Sequence, residues 1–495
     1  MTPRIDDINK QRKEKLERLR GRGINPYPNN YRQTLTTREA IARLEAAEAG
    51  NKSQQDEKPV SLAGRITAMR KMGKSSFLDI RDGSGKIQVL VQHPALTEEL
   101  AELFKDLDIG DILGIEGNLL RTRTGEPTVS ASNFTLLAKS LQPLPEKWHG
   151  LSDTETRYRQ RYVDLIANAD VKEVFRMRSR IIEAVRHFLN DRGFIEVETP
   201  VLHTAAGGAL ATPFVTHHNT LDQDMYLRIA LELHLKRLIV GGLDKVYEIG
   251  YVFRNEGIST THNPEYTLLE TYEAYADYKD VMKMVEEMFY QVSLNVLGTG
   301  EITYGDNKIN LKPPWQRLTL RDAVRKYSSI DYVEYPTADG LREKMRSKKI
   351  EADPKKNWAK LVDELLKTCV VPSLIQPTFI CDYPVSMSPL AKNKPGKKRV
   401  VERFQPYAAG LELGNAYSEL NDPLLQRERF VDQMKERLGD NEERWTIDED
   451  FLTALEYGMP PTGGLGIGID RMVMLLTNQQ SIREVILFPQ LREKP

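Results

Sequence analysis

VYEIGYVFRNEGISTTHNPEYTLLETYEAYADY, residues 246–278, consists of two alternating runs joined by a loop. Successive side chains of a strand point to opposite faces. Tyr247, Ile249, Tyr251 and Phe253 therefore share one side, and Glu248, Gly250, Val252, Arg254 and Glu256 share the other. The returning run sets Tyr266, Leu268, Glu270 and Tyr272 on a common face. Taken singly, each polar residue reads as an ordinary surface group. An antiparallel pair carrying an arginine, several carboxylates and two tyrosines is costly as simple packing. Together they read as the floor of a site for a polar, charged ligand.

Downstream, GLGIGIDRMVMLL (464–476) alternates glycines with Leu465, Ile467 and Ile469 and leads into a helix beginning near Asp470. Glycine permits close approach of a flat ring or a phosphate. Arg471 falls in the first helical turn, where exposed N–H groups favour anions. The alternative is a glycine-rich core strand with Arg471 in an ion pair. Upstream, apolar residues at 171, 174, 175, 181, 182, 185, 188 and 189 have helical spacing. HFLNDRGFIEVETPVL (187–202) then reads as helix end, turn and a strand ending near Pro200, with no obvious chemistry of its own.

The N-terminal third has another character. Residues 58–141 hold five short strand patterns separated by turn residues such as Asp82-Gly83-Ser84-Gly85, with a helix, TEELAELFKDL, between the third and fourth. That is the order of an OB barrel, with another five-stranded barrel as the alternative. LQPLPEKWHG (141–150) reads as a linker, and the Lys/Glu-rich residues 337–367 as a helical surface insertion. Residues 1–57 read as polar, helical and partly mobile. Seven Lys or Arg lie between residues 4 and 20, as a solvated ion-paired helix or as an arm tracking phosphates.

The 495 residues exceed one ordinary core. Forty per cent apolar and 28% charged residues describe a globular protein, and no apolar run reaches membrane-span length, so a cytoplasmic protein without membrane contact is expected. A formal charge of −1 leaves nucleic-acid binding to local charge. Cys369 and Cys381 lack any zinc-site spacing, so no zinc is expected.

The three segments 187–202, 246–278 and 464–476, in this order, resemble the three signature motifs of class II aminoacyl-tRNA synthetases. YRQRYVDLIAN (158–168), YLRIALELHLKRLIVGGLDKVYEIG (226–250), HNPEYTLLE (262–270) and GLELGNAYSELNDP (410–423) resemble the lysine-specific, bacterial-type members. The resemblance runs from about residue 58 to 495. It implies an α+β protein. A helical extension (1–57) precedes an anticodon-binding OB β-barrel (58–141). A linker (142–157) leads to a catalytic antiparallel sheet flanked by helices (158–495), in a homodimer whose interface the first motif builds. The implied activity is a two-step ligation. L-lysine and ATP give lysyl-adenylate and pyrophosphate, and lysine then passes to the 3′ end of tRNA(Lys).

The resemblance also implies roles. Arg254 would bind the α-phosphate and the lysine carboxylate. Glu256, His262 and Asn263 would engage the adenine and phosphates, Tyr266 would stack on adenine, and Arg471 would meet the γ-phosphate. Glu412 would hold Mg²⁺, with Gln405 and Glu419 as further metal candidates. The lysine α-ammonium would meet Glu232 and the backbone of Gly208. Its ε-ammonium would meet Glu419 and Tyr272, near Glu270, with Asn415 and Tyr417 completing the wall. In the barrel, Phe77 would stack on an anticodon base and Gln88 would bond its edge. Gln405 stands where the family usually has Glu, and Thr261 where Arg is common. Leu231 and His234, in ALELHLK, depart from the usual APELYLK. Glu412 and Glu419, seven apart, need a break near Gly414-Asn415 to face one site.

Other readings weaken on inspection. Lys71-Met72-Gly73-Lys74-Ser75 resembles a class I synthetase loop, but no Rossmann pattern accompanies it. A protein-modifying lysine-adenylate former typically lacks the barrel. A catalytically silent tRNA-binding protein would not need Arg254, Glu412 and Arg471 together.

Overall fold

The computed structural model describes residues 5–50, 58–145, 151, 153–205, 207–208, 211–438 and 447–492. It divides into two compact units, Met1–Ser152 and Asp153–Pro495. Most of the expected linker core, residues 146–150, lies outside the described residues, and Thr154–Arg159 of its C-terminal flank is helical.

In the first unit, β1 (Val60–Met72), β2 (Ser75–Arg81), β3 (Lys86–Gln92), β4 (Ile112–Arg121) and β5 (Pro127–Ala138) close a barrel in the order β1-β2-β3-β5-β4. The helix Glu98–Lys105 sits between β3 and β4, as the pattern predicts. Inward residues Ile66, Leu78, Ile80, Ile87, Val89, Val91, Leu113, Ile115 and Val129 fill the core. The N-terminal segment is docked rather than free. Arg12 donates to the carbonyls of Ile109, Ser140 and Gln142. Lys15 pairs with Asp108 and Arg18 with Asp106, both at 2.6 Å. Leu19 and Leu44 join the barrel core. Three of the seven basic residues are therefore spent on the barrel.

The second unit is built on a nine-stranded sheet, antiparallel through its centre and parallel at both edges. Its order is Gln316–Thr319, Thr378–Pro384, Val400–Ala408, Gly414–Ser418, Thr462–Gly468, Glu265–Ala274, Lys245–Phe253, Ile195–Glu196; Leu411–Glu412 pairs off Val400–Ala408. One face is closed by the helices Ala169–Asn190, Tyr278–Leu297 and Ile469–Leu476. Tyr247, Leu269, Phe404, Ala416, Leu465 and Ile467 point into that core. Tyr278–Leu297 begins at a capping box of Asp277 and Asp280 and ends at Gly298, whose φ of 75° suits glycine. The opposite face is left partly open and carries the site.

The expected surface insertion is more than surface. The helices Ala338–Ser347 and Trp358–Leu365 bury Leu341, Met345, Leu361, Val362 and Leu365 in a core shared with Ile380, Tyr383 and Tyr407. The amphipathic spacing within a charged sequence explains the difference: the charges cover only the outer faces.

Candidate active site

A cavity of about 700 Å³ opens on the uncovered sheet face. Tyr266, Leu268, Glu270 and Tyr272 line it in a row, as strand parity predicts. Across the strand pair, Leu268, Glu270 and Tyr272 stand opposite Gly468, Gly466 and Gly464. These glycines keep the face bare where long polar side chains project. A Cβ on Gly464 would overlap Glu419 Oε1 and lie 2.8 Å from Tyr272 Cε1.

The partner strand behaves less simply. Arg254 and Glu256, beyond its end, line the cavity. Glu248 is buried elsewhere, accepting from Arg228 at 2.6 Å and from the Thr199 hydroxyl at 2.7 Å. Arg228 reaches it over Gly250, where a Cβ would overlap the guanidinium.

One end of the cavity is anionic. Glu232, Glu270 and Glu419 are all buried there. The sequence reading missed Lys236, wholly buried, whose ammonium lies 2.5 Å from Glu232 Oε1 and also pairs with Glu419. The i,i+4 spacing of Glu232 and Lys236 signalled the first pair; only folding revealed the second. Burial lowers the Lys236 pKa, but Glu232 and Glu419 outweigh it, so the group stays charged. Burial pushes Glu419 well above the carboxylate range, with Glu232 and Glu270 adding repulsion against the pull of Lys236. Glu270 is raised to about 7, chiefly by burial and then by Glu232. It accepts from the Leu231 amide at 3.1 Å and the Tyr272 hydroxyl at 3.0 Å. Tyr417 donates to both oxygens of Glu232 at 2.8 Å. Asn415 also lines the cavity, its Oδ1 held by Arg403 Nε at 2.7 Å. Gly208, at φ 88°, closes the wall against Ala230.

The other end is cationic. The Arg254 guanidinium lies 5.4 Å from the centre of the Tyr266 ring. Arg471, in the first turn of Ile469–Leu476, donates to the Glu412 carbonyl at 2.9 Å. Asp470 anchors that turn, accepting from Arg178 at 2.6 Å and the Thr267 amide at 2.8 Å. His262 hydrogen-bonds Ser259 at 2.9 Å and Thr261 at 3.0 Å; burial and then Arg471 lower its pKa, so its ring is neutral at pH 7. Asn263 lines the cavity, but its amide already bonds the Glu265 carbonyl at 2.6 Å and the Gln490 amide at 3.2 Å.

The expected break between Glu412 and Glu419 exists one residue early, at Leu413, which turns into the core between Leu411–Glu412 and Gly414–Ser418. Both glutamates line the cavity. Two metal expectations need correction. Gln405 Oε1 accepts from the Tyr383 hydroxyl at 2.6 Å and the Tyr407 hydroxyl at 3.1 Å. Both lone pairs are in use, so the buried amide oxygen is not free for a cation. Glu419 faces Lys236, and an ammonium at the carboxylate disfavours a metal there. Of the three metal candidates, Glu412 keeps its carboxylate clear, among the described residues, of both kinds of partner that occupy Gln405 and Glu419, and it lines the cavity. No cluster of three metal-ligating side chains occurs among the described residues.

In the barrel, Phe77 is half-buried and points away from the core, across from Leu90 on one side and Arg70 on the other. Gln88 lies opposite Asp79 and accepts from the Thr128 hydroxyl at 3.1 Å. Lys71–Ser75 forms the β1–β2 turn, with Gly73 at φ 59°.

An antiparallel sheet whose open face carries two arginines at one end and buried carboxylates at the other is the frame of a class II synthetase. Residues 153–492 match the family of class II tRNA synthetases (D, K and N), and residues 60–137 match the OB-fold nucleic acid binding domain. The chain belongs to the class II tRNA synthetases. It is 57% identical to a lysine–tRNA ligase of Dehalococcoides mccartyi, over 98% of each chain. It is 53% identical to one of Moorella thermoacetica and 50% identical to one of Bacillus cereus, each over 99% of this chain and 98% of the relative.

Proposed function

We propose that the chain is a lysine–tRNA ligase. One observation carries the choice of amino acid: three buried carboxylates, Glu232, Glu270 and Glu419, line one end of the cavity with a single resident ammonium, Lys236, which pairs with Glu232 and Glu419 only. Buried carboxylates in excess are costly unless a cation arrives. A substrate with two ammonium groups answers that excess, and a neutral or acidic side chain does not.

Lysine brings its own nucleophile. Its carboxylate oxygen attacks the α-phosphorus of ATP, the α–β bridging P–O bond breaks, and pyrophosphate leaves. Catalysis is then positioning and charge neutralisation. Arg254 holds the carboxylate and α-phosphate together, and Tyr266 offers a ring face to adenine. Arg471 takes the terminal phosphate from the exposed N–H end of its helix, and Glu256 and His262 complete the nucleotide wall. Mg²⁺ would sit on Glu412 and the phosphates, lending positive charge to the leaving group; Gln405 does not fit as a second ligand. In the second step a hydroxyl of the tRNA 3′ adenosine attacks the adenylate carbonyl and AMP leaves. The barrel, with Phe77 and Gln88 on its outer side, serves the anticodon. We further propose a homodimer and a cytoplasmic location. Ile195 and Leu202 in the first motif, Val215 and Leu221 further along the chain, and Tyr251 in the second motif are large apolar residues left exposed, which supports a partner surface. No helix among the described residues is long and apolar enough to cross a membrane.

Pyrophosphate exchange with each of the twenty amino acids tests the reading. Exchange with lysine alone supports it; equal exchange with a neutral or acidic amino acid refutes it. Sedimentation at micromolar concentration tests the dimer.

A further inference from the structure

The cationic end of the cavity includes a residue that the sequence reading did not single out. The helix Trp358–Leu365 continues into a widened turn, Leu366–Val370. Leu361, Val362, Leu365, Leu366 and Val370 are buried. Asp363, Lys367 and Val371 are left to line the cavity with His262, Glu412 and Arg471. Such widened turns re-aim the residues that follow and recur at functional sites.

Lys367 pairs with Asp363 at 2.7 Å, and both side chains are substantially exposed, at 66% and 38%. An exposed i,i+4 pair is weak. A charge-assisted bond to a phosphate is stronger and displaces it. Lys367 also feels the charges of Glu412 and Arg471, and its own charge helps to hold His262 neutral. It is therefore electrostatically part of the nucleotide end.

We propose that Lys367 is a phosphate-binding residue whose ammonium leaves Asp363 to take the β- and γ-phosphate oxygens of ATP, and of pyrophosphate as it departs. The assignment rests on the reading of the cavity as an ATP site.

Calorimetric titration of the whole enzyme with ATP, AMP and pyrophosphate, at fixed Mg²⁺, tests it in wild type, Lys367→Met and Lys367→Arg. Lys367→Met should weaken ATP and pyrophosphate roughly tenfold and leave AMP, which lacks those phosphates, unchanged. Lys367→Arg should stay within about twofold of wild type for all three, because the charge is kept. Asp363→Asn, which frees the ammonium, should bind ATP as well as wild type or better. Equal weakening of ATP and AMP, or unchanged ATP binding, overturns the assignment. A wild type that shows lysine-dependent exchange while Lys367→Met keeps the ATP-to-AMP ratio refutes Lys367 alone. A wild type that binds no ATP refutes the ATP reading and this inference with it.

Discussion

Lysine binding should depend on the ionisation of Glu270. In the ligand-free cavity its pKa is raised to about 7 from an ordinary 4.5, burial being the main cause. Each pKa unit is worth about 1.4 kcal/mol, so ionising the empty site costs about 3 kcal/mol more than ionising a solvated carboxylate. A raised folded-state pKa means that the folded protein binds the proton more tightly than the unfolded chain. Stability of the ligand-free enzyme therefore falls as pH rises from about 4.5 through about 7, with the loss complete above that window. An incoming ammonium needs the carboxylate ionised, so lysine binding below pH 7 must expel a proton. The lysine KM in pyrophosphate exchange, at saturating ATP, should rise at least about tenfold per pH unit below about 7 as Glu270 takes up its proton, the raised Glu419 adding to the loss. The thermal shift produced by lysine should be larger at about pH 8 than at about pH 6, and calorimetry in buffers of different ionisation enthalpy should record proton release near pH 6. Glu270→Gln should bind lysine weakly and lose the part of the pH dependence centred near about 7. A wild-type lysine KM that stays flat between about pH 6 and 8, with no proton release, refutes the argument.

Three further outcomes follow from the same geometry. Gly464→Ala places a Cβ into Glu419 Oε1 and against Tyr272; lysine-dependent exchange should be lost while calorimetric ATP binding survives, and a variant that still exchanges would show that the face is not the lysine site. Lys236→Met leaves Glu232 and Glu419 without their shared ammonium, so urea unfolding should show a loss of about 3–5 kcal/mol for a broken buried pair, against less than about 1 kcal/mol if the network is dispensable. Phe77→Ala, on the outer side of the barrel, should leave exchange untouched and raise the tRNA KM about tenfold, the worth of one base stack; charging at wild-type KM would remove Phe77 from tRNA recognition.

Strand parity made much of this site legible. The row Tyr266, Leu268, Glu270 and Tyr272 and the alternation of glycines with Leu465, Ile467 and Ile469 depend only on a period of two, which local sequence carries. The need for a break between Glu412 and Glu419 came from the same rule, and its position at Leu413 shows how loosely turn residues locate a kink. The same rule misled for Glu248. Its face was right, but Arg228, arriving from another strand connection, claimed it. Gln405 was readable as a neutral residue among expected metal ligands; that two tyrosine hydroxyls already hold its oxygen was not.

Local order sufficed for the barrel strands and for the alternating runs that line the open face of the sheet, because pattern and turn chemistry are written along the chain; the rest of the sheet and of the site residues came from the resemblance to a family. What folding alone decided were meetings across distance. Lys236 reaches Glu419 from 183 residues earlier, and this sets the charge at the anionic end of the cavity. Lys367 comes to Glu412 and Arg471 from a segment that reads as surface charge. Arg12 pins the N-terminal helix to carbonyls more than 90 residues away. Buried electrostatics depends on distance in space and on the loss of water, and neither is a property of neighbours in sequence.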